Sequence, residues 1–186
     1  MLKTQLHKNF DTGNFKIGAS VIKQFLWYFT DIIIFKSRMM PFSSVLVSFL
    51  RLFGAKIGKE VRIKPGIHIK YPWKLELGDY SWLADCYIDN LDQVKIGKNC
   101  CISQQAILIT GNHNYKATSF DLITAPIVVE DGVWIGASAQ VCPGVTLYSH
   151  SVLTMGSIAT KNLMPYTIYQ GNPAVKIKER IIEDKI

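Results

Sequence analysis

Aliphatic residues recur every six positions along most of the chain after Ala55. The longest uninterrupted run is Val129, Ile135, Val141, Leu147 and Leu153, and a small or short residue follows each of them four places later. An amphipathic helix needs a period near 3.6 and a half-buried strand a period of two. A period of six therefore predicts a coil in which each hexad supplies one short strand and one tight turn.

Three shorter runs upstream continue the pattern, beginning at Ile57, Leu77 and Ile96. Together they predict a mainly β fold, a parallel β-helix of about five coils over residues 55–165, with aliphatic side chains stacked inside it. Asp89 is the one polar residue at these inward positions. In this frame every interruption of the period follows the third hexad of a coil, and the longest forms a loop at residues 109–128. Long loops on rigid scaffolds often carry function.

Residues 1–54 show helical rather than hexad periodicity. Phe25, Phe29 and Ile33 belong to a first apolar set, and a second set follows Pro41 and ends before Gly54, a plausible helix stop. We expect two helices that cap the β-helix. The first is apolar nearly all round, which predicts either burial against a core or partner surface, or contact with a membrane face.

The composition also indicates in which compartment the protein is expected and which classes of ligand it could bind. The first helix is too short to span a bilayer, and the first twenty residues lack the pattern of a secretory signal. The four cysteines contain no CxxC pair, so a cytoplasmic protein, with membrane contact at most peripheral, is expected. The net charge of +7 suits either an anionic ligand or a solvated basic surface, because Lys and Arg are spread along the chain. Nucleic acid binding is not indicated.

The long loop contains the main candidate for chemistry, His113, although a lone loop histidine is more often a solvated side chain. Several stretches resemble the colanic-acid-biosynthesis acetyltransferases, relatives of the maltose, galactoside and nodulation-factor O-acetyltransferases. They include Tyr71-Pro72-Trp73, Cys101-Ile102-Ser103-Gln104, Thr110-Gly111-Asn112-His113 and Tyr169-Gln170-Gly171-Asn172-Pro173-Ala174. The resemblance covers almost the whole chain. It implies a left-handed β-helix, a homotrimer with sites between neighbouring prisms, and acetyl transfer from acetyl-CoA to a sugar hydroxyl of an exopolysaccharide or capsule.

The resemblance also implies residue roles. His113 would be the general base, since an imidazole titrates near neutral pH, and the backbone N–H of Ala137 would stabilise the oxyanion. One departure stands out, because the family's usual residue after the histidine is Asp and this chain has Asn114. Either Asn114 contacts substrate, or another group orients His113, or activity is weakened.

Binding residues are expected at two further places. Asp89, Asn90 and Asn114 are candidate acceptor contacts, although the first two are equally well explained as turn residues. Small side chains along stacked coils would leave room for coenzyme A. Its candidate contacts are Trp134, Gly136, Ala137, Thr154 and Ser157, followed by Asn172, Pro173, Lys176 and Arg180 in residues 166–186, expected as a turn and a basic tail or short helix.

Other functions remain open from the sequence. A zinc carbonic anhydrase shares the architecture but needs three converging histidines; His68 and His150 are far from His113 in register, and Thr118 stands where a second loop histidine would be. We therefore expect no metal. A different acyl donor, an amino-sugar acceptor and a non-catalytic trimer are further alternatives. Cys142 could act as a nucleophile, but its place in a hexad favours a small structural residue, and hence direct transfer.

Overall fold

The computed structural model describes residues 2–6 and 10–184. Its main body is a parallel β-helix with three faces, each a stack of short strands. Face A consists of β1 (Lys56–Ile57), β4 (Leu75–Leu77), β7 (Val94–Ile96), β12 (Ile127–Val129) and β15 (Thr146–Leu147). Face B consists of β2 (Arg62–Ile63), β5 (Trp82–Leu83), β8 (Cys101–Ile102), β13 (Trp134–Ile135) and β16 (Val152–Leu153). Face C consists of β3 (His68–Ile69), β6 (Tyr87–Asp89), β9 (Ile107–Ile109), β14 (Gln140–Val141) and β17 (Ile158–Ala159).

The six-residue period follows from how each corner is built. The five aliphatic residues from Val129 to Leu153 are all buried, as predicted. Three places after each of them the backbone has a positive φ, as at Gly132, Ser138, Gly144, His150 and Gly156. This conformation turns the chain at the corner, and the next residue, small or short, is buried beneath it.

Face C corrects one position of the predicted frame. Ile88, and not Asp89, points into the core of the second coil, since Ile88 is fully buried and pairs with Ile69 and Leu108. The turn before it, at Asp85 and Cys86, is one residue shorter than in a regular hexad. The prediction that every interruption follows the third hexad is therefore wrong for this coil.

The β-helix makes about six turns, slightly more than predicted. Five complete coils are followed by a partial one, in which β18 (Thr167–Gly171) pairs with β16 on face B. The predicted turn at Gly171, Asn172 and Pro173 is present, but it joins β18 to an antiparallel strand, β19 (Ala174–Glu179). The expected tail or helix is thus a hairpin, whose pairing satisfies the backbone edge of the last coil.

The two predicted helices are present and cap the first coil. The first, α1 (Val21–Thr30), continues as a π-helical segment (Asp31–Lys36), and α2 (Ser43–Leu52) follows. Trp27 anchors this cap, because its indole N–H donates to the Ile69 carbonyl at 3.1 Å and its ring packs 5.1 Å from that of Phe53. Within the described ranges no helix has both the length and the hydrophobicity of a membrane span.

Candidate active site

The long predicted loop leaves the corner between faces C and A, which we call the C–A corner, and contains a hairpin. Its strands are β10 (Gly111–His113) and β11 (Leu122–Thr124), which pair antiparallel. The N-terminal segment lies beside it, since the Gln5 N–H donates to Thr118 O at 2.8 Å and the Leu122 N–H to Asp11 O at 2.9 Å. These contacts hold the end of β10, and with it His113, against the body of the protein.

His113 is half-buried and its ring is fixed by Phe120. The His113 Nδ1 atom lies 2.9 Å from the Phe120 carbonyl oxygen, and the two rings stack with centroids 4.4 Å apart. A carbonyl can only accept a hydrogen bond, so this contact assigns the proton of the neutral imidazole to Nδ1. The lone pair is then on Nε2. The ring lines a cavity of about 280 Å³ together with Leu6, Phe10, Ser119 and Phe120.

Asn114 does not orient this histidine. Its side-chain oxygen accepts from the Lys116 N–H at 3.3 Å, and its own N–H donates to Asp121 O at 2.8 Å. Of the three possibilities left open by the sequence, the structure favours the second, in which another group orients His113. That group is the Phe120 carbonyl, which the sequence analysis missed.

The two candidate acceptor residues on the second coil differ in availability. Asn90 is fully buried, and its amide bonds both the N–H and the carbonyl of Tyr71, at 2.9 and 2.7 Å. This pairing and the full burial of the side chain support its interpretation as a turn residue. Asp89 is half-buried near the C–A corner, and its Oδ1 atom lies 2.9 Å from Lys70 Nζ in an ion pair.

Most of the predicted coenzyme contacts meet at another edge, the B–C corner between faces B and C. The Gly156 N–H donates to Ala137 O at 2.9 Å, and the hydroxyls of Thr154 and Ser157 lie 2.9 Å apart. Ser157 also accepts from the Gly171 N–H at 3.0 Å, which brings the hairpin turn of Asn172 and Pro173 to this corner. Gly136 stacks directly on the next coil, where a β-carbon added to it would lie 2.9 Å from the Thr154 carbonyl carbon.

Arg180 does not belong to this group. Strand β19 runs back across face B, and the Arg180 guanidinium donates to Gly132 O and His150 O, at 2.8 and 3.0 Å, beside the corner between faces A and B. Six residues of extended strand, or about 20 Å, separate it from the hairpin turn. As a coenzyme contact Arg180 stays a prediction, at a place apart from the group at the B–C corner. Lys176 is exposed on the same strand and pairs with Glu179.

Face B carries a cleft that the sequence analysis did not identify. It has a volume of about 440 Å³ and lies between Trp82 and Trp134, with Arg62 and Gln104 at its borders. The Arg62 guanidinium lies 4.8 Å from the Trp82 ring, and the Trp134 indole N–H donates to Ser103 Oγ at 3.0 Å. The sequence does contain a signal for this cleft. Side chains alternate along a strand, so Trp82 and Trp134, which precede the inward-facing Leu83 and Ile135, must point outward.

His113 and Ala137 lie at opposite edges of face C. His113 follows β9 and Ala137 precedes β14, and these two strands are parallel neighbours. After the loop the chain re-enters the β-helix at β12 on face A and reaches Ala137 only after crossing face B. One chain alone does not bring the two together.

The surroundings of His68, His150 and Cys142 bear on the zinc-site and thiol-nucleophile alternatives. His68 lies 3.5 Å from Asp31 and His150 stacks on Tyr166, so both are apart from His113. Within residues 2–6 and 10–184, no three His, Cys, Asp or Glu side chains are grouped so as to hold a metal ion. Burial raises the pKa of the Cys142 thiol, which disfavours the thiolate that a nucleophile needs.

No family model matches the chain. It is 39% identical to the colanic acid biosynthesis acetyltransferase WcaF of Escherichia coli (strain K12) over 165 residues, which cover 88% of this chain and 91% of that protein. The galactoside O-acetyltransferase of the same organism is 29% identical over 143 residues, covering 74% and 70%. Among solved structures, the hexapeptide-repeat acetyltransferase VCA0836 of Vibrio cholerae O1 biovar eltor, complexed with acetyl-coenzyme A, gives a TM-score of 0.76 at 20% identity, covering 89% of this chain and 92% of that one.

Proposed function

Because the chain belongs to the colanic acid biosynthesis acetyltransferases of the hexapeptide-repeat kind, and is therefore an acetyltransferase, we propose that it transfers the acetyl group of acetyl-CoA to a saccharide hydroxyl. His113 is the general base of this proposal. The observation that carries it is the bond between His113 Nδ1 and the Phe120 carbonyl, since this bond leaves Nε2 free to accept a proton.

The reaction follows from that tautomer. Nε2 takes the proton of the acceptor hydroxyl while the hydroxyl oxygen attacks the thioester carbonyl carbon. The carbonyl oxygen gains negative charge and is stabilised by the N–H of Ala137. When the intermediate collapses, the carbon–sulfur bond breaks and the coenzyme A thiolate leaves. The proton held on Nε2 then passes to the sulfur, which restores the neutral base.

The separation of His113 from Ala137 supports a site shared between two subunits. The C–A corner of one subunit supplies His113, and the B–C corner of its neighbour supplies the Ala137 N–H. A closed ring in which every subunit offers both corners satisfies this requirement with identical interfaces. We propose the homotrimer implied by the resemblance as that ring.

The two substrates then have distinct surfaces. Thr154, Ser157 and the turn at Asn172 and Pro173 border the B–C corner, where we place coenzyme A. The cleft between Trp82 and Trp134 adjoins Ala137 along the chain and offers aromatic faces of the kind that pack against sugar rings. We assign the saccharide to this cleft, which gives Trp134 a role toward the sugar in place of the predicted contact with coenzyme A. Asp89 of the subunit that supplies His113 is a further candidate contact.

A screen of saccharide acceptors with acetyl-CoA tests the proposal. Release of free coenzyme A thiol should depend on both substrates and should fall when butyryl-CoA replaces acetyl-CoA. If thiol is released with butyryl-CoA and acceptor but not with acetyl-CoA and acceptor, the protein uses a different acyl donor. Stoichiometric zinc in the purified protein, together with carbon dioxide hydration, would favour the carbonic anhydrase alternative.

A further inference from the structure

The first helix has two apolar sides, and only one is used by the fold. Trp27, Asp31 and Phe35 face the β-helix and are buried. The opposite side, which we call the outer face, consists of Ile22, Phe25, Leu26, Phe29, Ile32 and Ile33. Phe25 and Ile33 remain 62% and 60% exposed. Contiguous apolar surface of this size on a water-soluble fold usually marks a contact site.

The charge of the protein is concentrated in the same segment. Residues 1–54 contain seven Lys and Arg but only two Asp, so they carry five of the seven net positive charges. The bases are spread evenly along the chain, and it is the acids that are scarce here. Of the two, Asp31 is buried and bonded to Lys36 at 2.8 Å, and Asp11 lies beside the His113 loop. Lys16 and Lys23 lie near the start of the helix that carries the outer face, and Lys36 and Arg38 lie at its end, where they form ion pairs with Asp31 and Asp85.

The position of the outer face separates it from the proposed active site. The helix packs on the first coil, at the N-terminal end of the β-helix, whereas His113 and Ala137 belong to later coils. A rotation axis keeps equivalent points at the same height, so a cyclic trimer would present three such faces together. Their number would strengthen binding to one extended surface.

We propose that the outer face docks the protein on the surface of an anionic lipid bilayer. The apolar side chains would enter the headgroup region, and the Lys and Arg near the two ends of the helix would lie among the lipid phosphates. A second copy of the chain fits less well, because two faces that each carry this positive segment would repel one another. The proposal requires neither acetyl-CoA nor His113, so it stands independently of the proposed function.

Flotation of the full-length protein with vesicles tests this docking. Vesicles containing phosphatidylglycerol should carry the protein, and pure phosphatidylcholine vesicles should carry at least about tenfold less. Binding should weaken as salt rises, since ions screen the attraction. The double variant Phe25→Glu/Ile33→Glu should reduce binding to the anionic vesicles by at least about tenfold. Ile181→Glu/Ile182→Glu is the matched control, because it changes the charge equally on exposed residues at the other end of the chain.

Light scattering and thermal melting accompany the comparison. The Phe25→Glu/Ile33→Glu variant, which we call the cap variant, should keep the wild-type mass and melting temperature, because the side chains of Phe25 and Ile33 are exposed. If the wild-type protein does not bind anionic vesicles, or if the cap variant and the control variant bind them equally, the proposal is wrong. A cap variant with altered mass would instead assign the outer face to contact between copies of the chain.

Discussion

The Nδ1 atom of His113 donates to the carbonyl oxygen of Phe120 at 2.9 Å, and the Phe120 ring stacks on the imidazole. One residue thus fixes both the tautomer and the plane of the proposed base. This is how a histidine can be oriented without the carboxylate that the family usually places after it. It also explains why the hairpin must bring residue 120 back beside residue 113.

His113→Ala should remove most of the activity without unfolding the protein. We expect kcat to fall by about a hundredfold or more, because a positioned general base contributes at least that much. The residue lies on a hairpin outside the stacked core, so the melting temperature should stay within about two degrees of wild type. A folded variant with near-normal kcat would exclude His113 as the base.

Asn114→Asp should leave activity nearly unchanged, although it restores the residue typical of the family. The Asn114 side chain accepts from the Lys116 N–H, and a carboxylate can do the same without reaching the imidazole. We expect kcat/KM within about threefold of wild type and an unchanged pH profile. A large gain in kcat would mean that residue 114, and not Phe120, orients the base.

Much of the fold was predictable because a β-helix repeats one local rule. Val129, Ile135 and Val141 occupy equivalent positions, so their spacing alone predicts the stacking. The frame failed at Ile88 because the turn before it is one residue short, and a strict count of six then selects Asp89 instead of the aliphatic residue that precedes it. Ser138 and His150 adopt a positive φ where glycine would be expected, so the residue types at these corners did not predict the left-handed backbone there.

The site was harder to predict than the fold. The role of Phe120 depends on its backbone carbonyl, which every residue has, and on a hairpin whose pairing is not encoded by the hexads. The position of Arg180 could not be predicted for the same reason, since only the antiparallel return of β19 carries it away from the hairpin turn. His113 itself was identified by resemblance rather than by its spacing.

Gly136→Ala should destabilise the protein. An added β-carbon would lie 2.5 Å from the Met155 backbone nitrogen, and backbone atoms in stacked coils cannot move aside easily. We expect a loss of about 1–3 kcal/mol, or several degrees in melting temperature. Ser138→Gly, on the same corner, is the control, because its positive φ suits glycine and its melting temperature should not fall. Equal melting temperatures for Gly136→Ala and wild type would contradict the stacking.

Cys142→Ala should remain almost fully active. Burial raises the pKa of this thiol, so the thiolate is scarcer near neutral pH than for an ordinary cysteine and would increase only as pH rises. We expect kcat within about twofold of wild type and intersecting lines in double-reciprocal plots. Parallel lines, with an acetylated Cys142 trapped when acceptor is omitted, would establish a covalent route instead.

Mixed assemblies should distinguish a site shared between subunits from a site within one chain. His113→Ala removes the base, and Ala137→Pro removes the proposed oxyanion donor, since proline has no N–H. Each variant alone should be inactive, while melting curves check that each folds. If the site is shared, a coexpressed mixture contains interfaces where an intact His113 faces an intact Ala137. With equal amounts and random assembly, about a quarter of the sites are of this kind, and about a quarter of wild-type activity should return. If the site lay within one chain, every chain would carry a lesion and mixing would restore nothing, so recovery can come only from residues that meet across an interface.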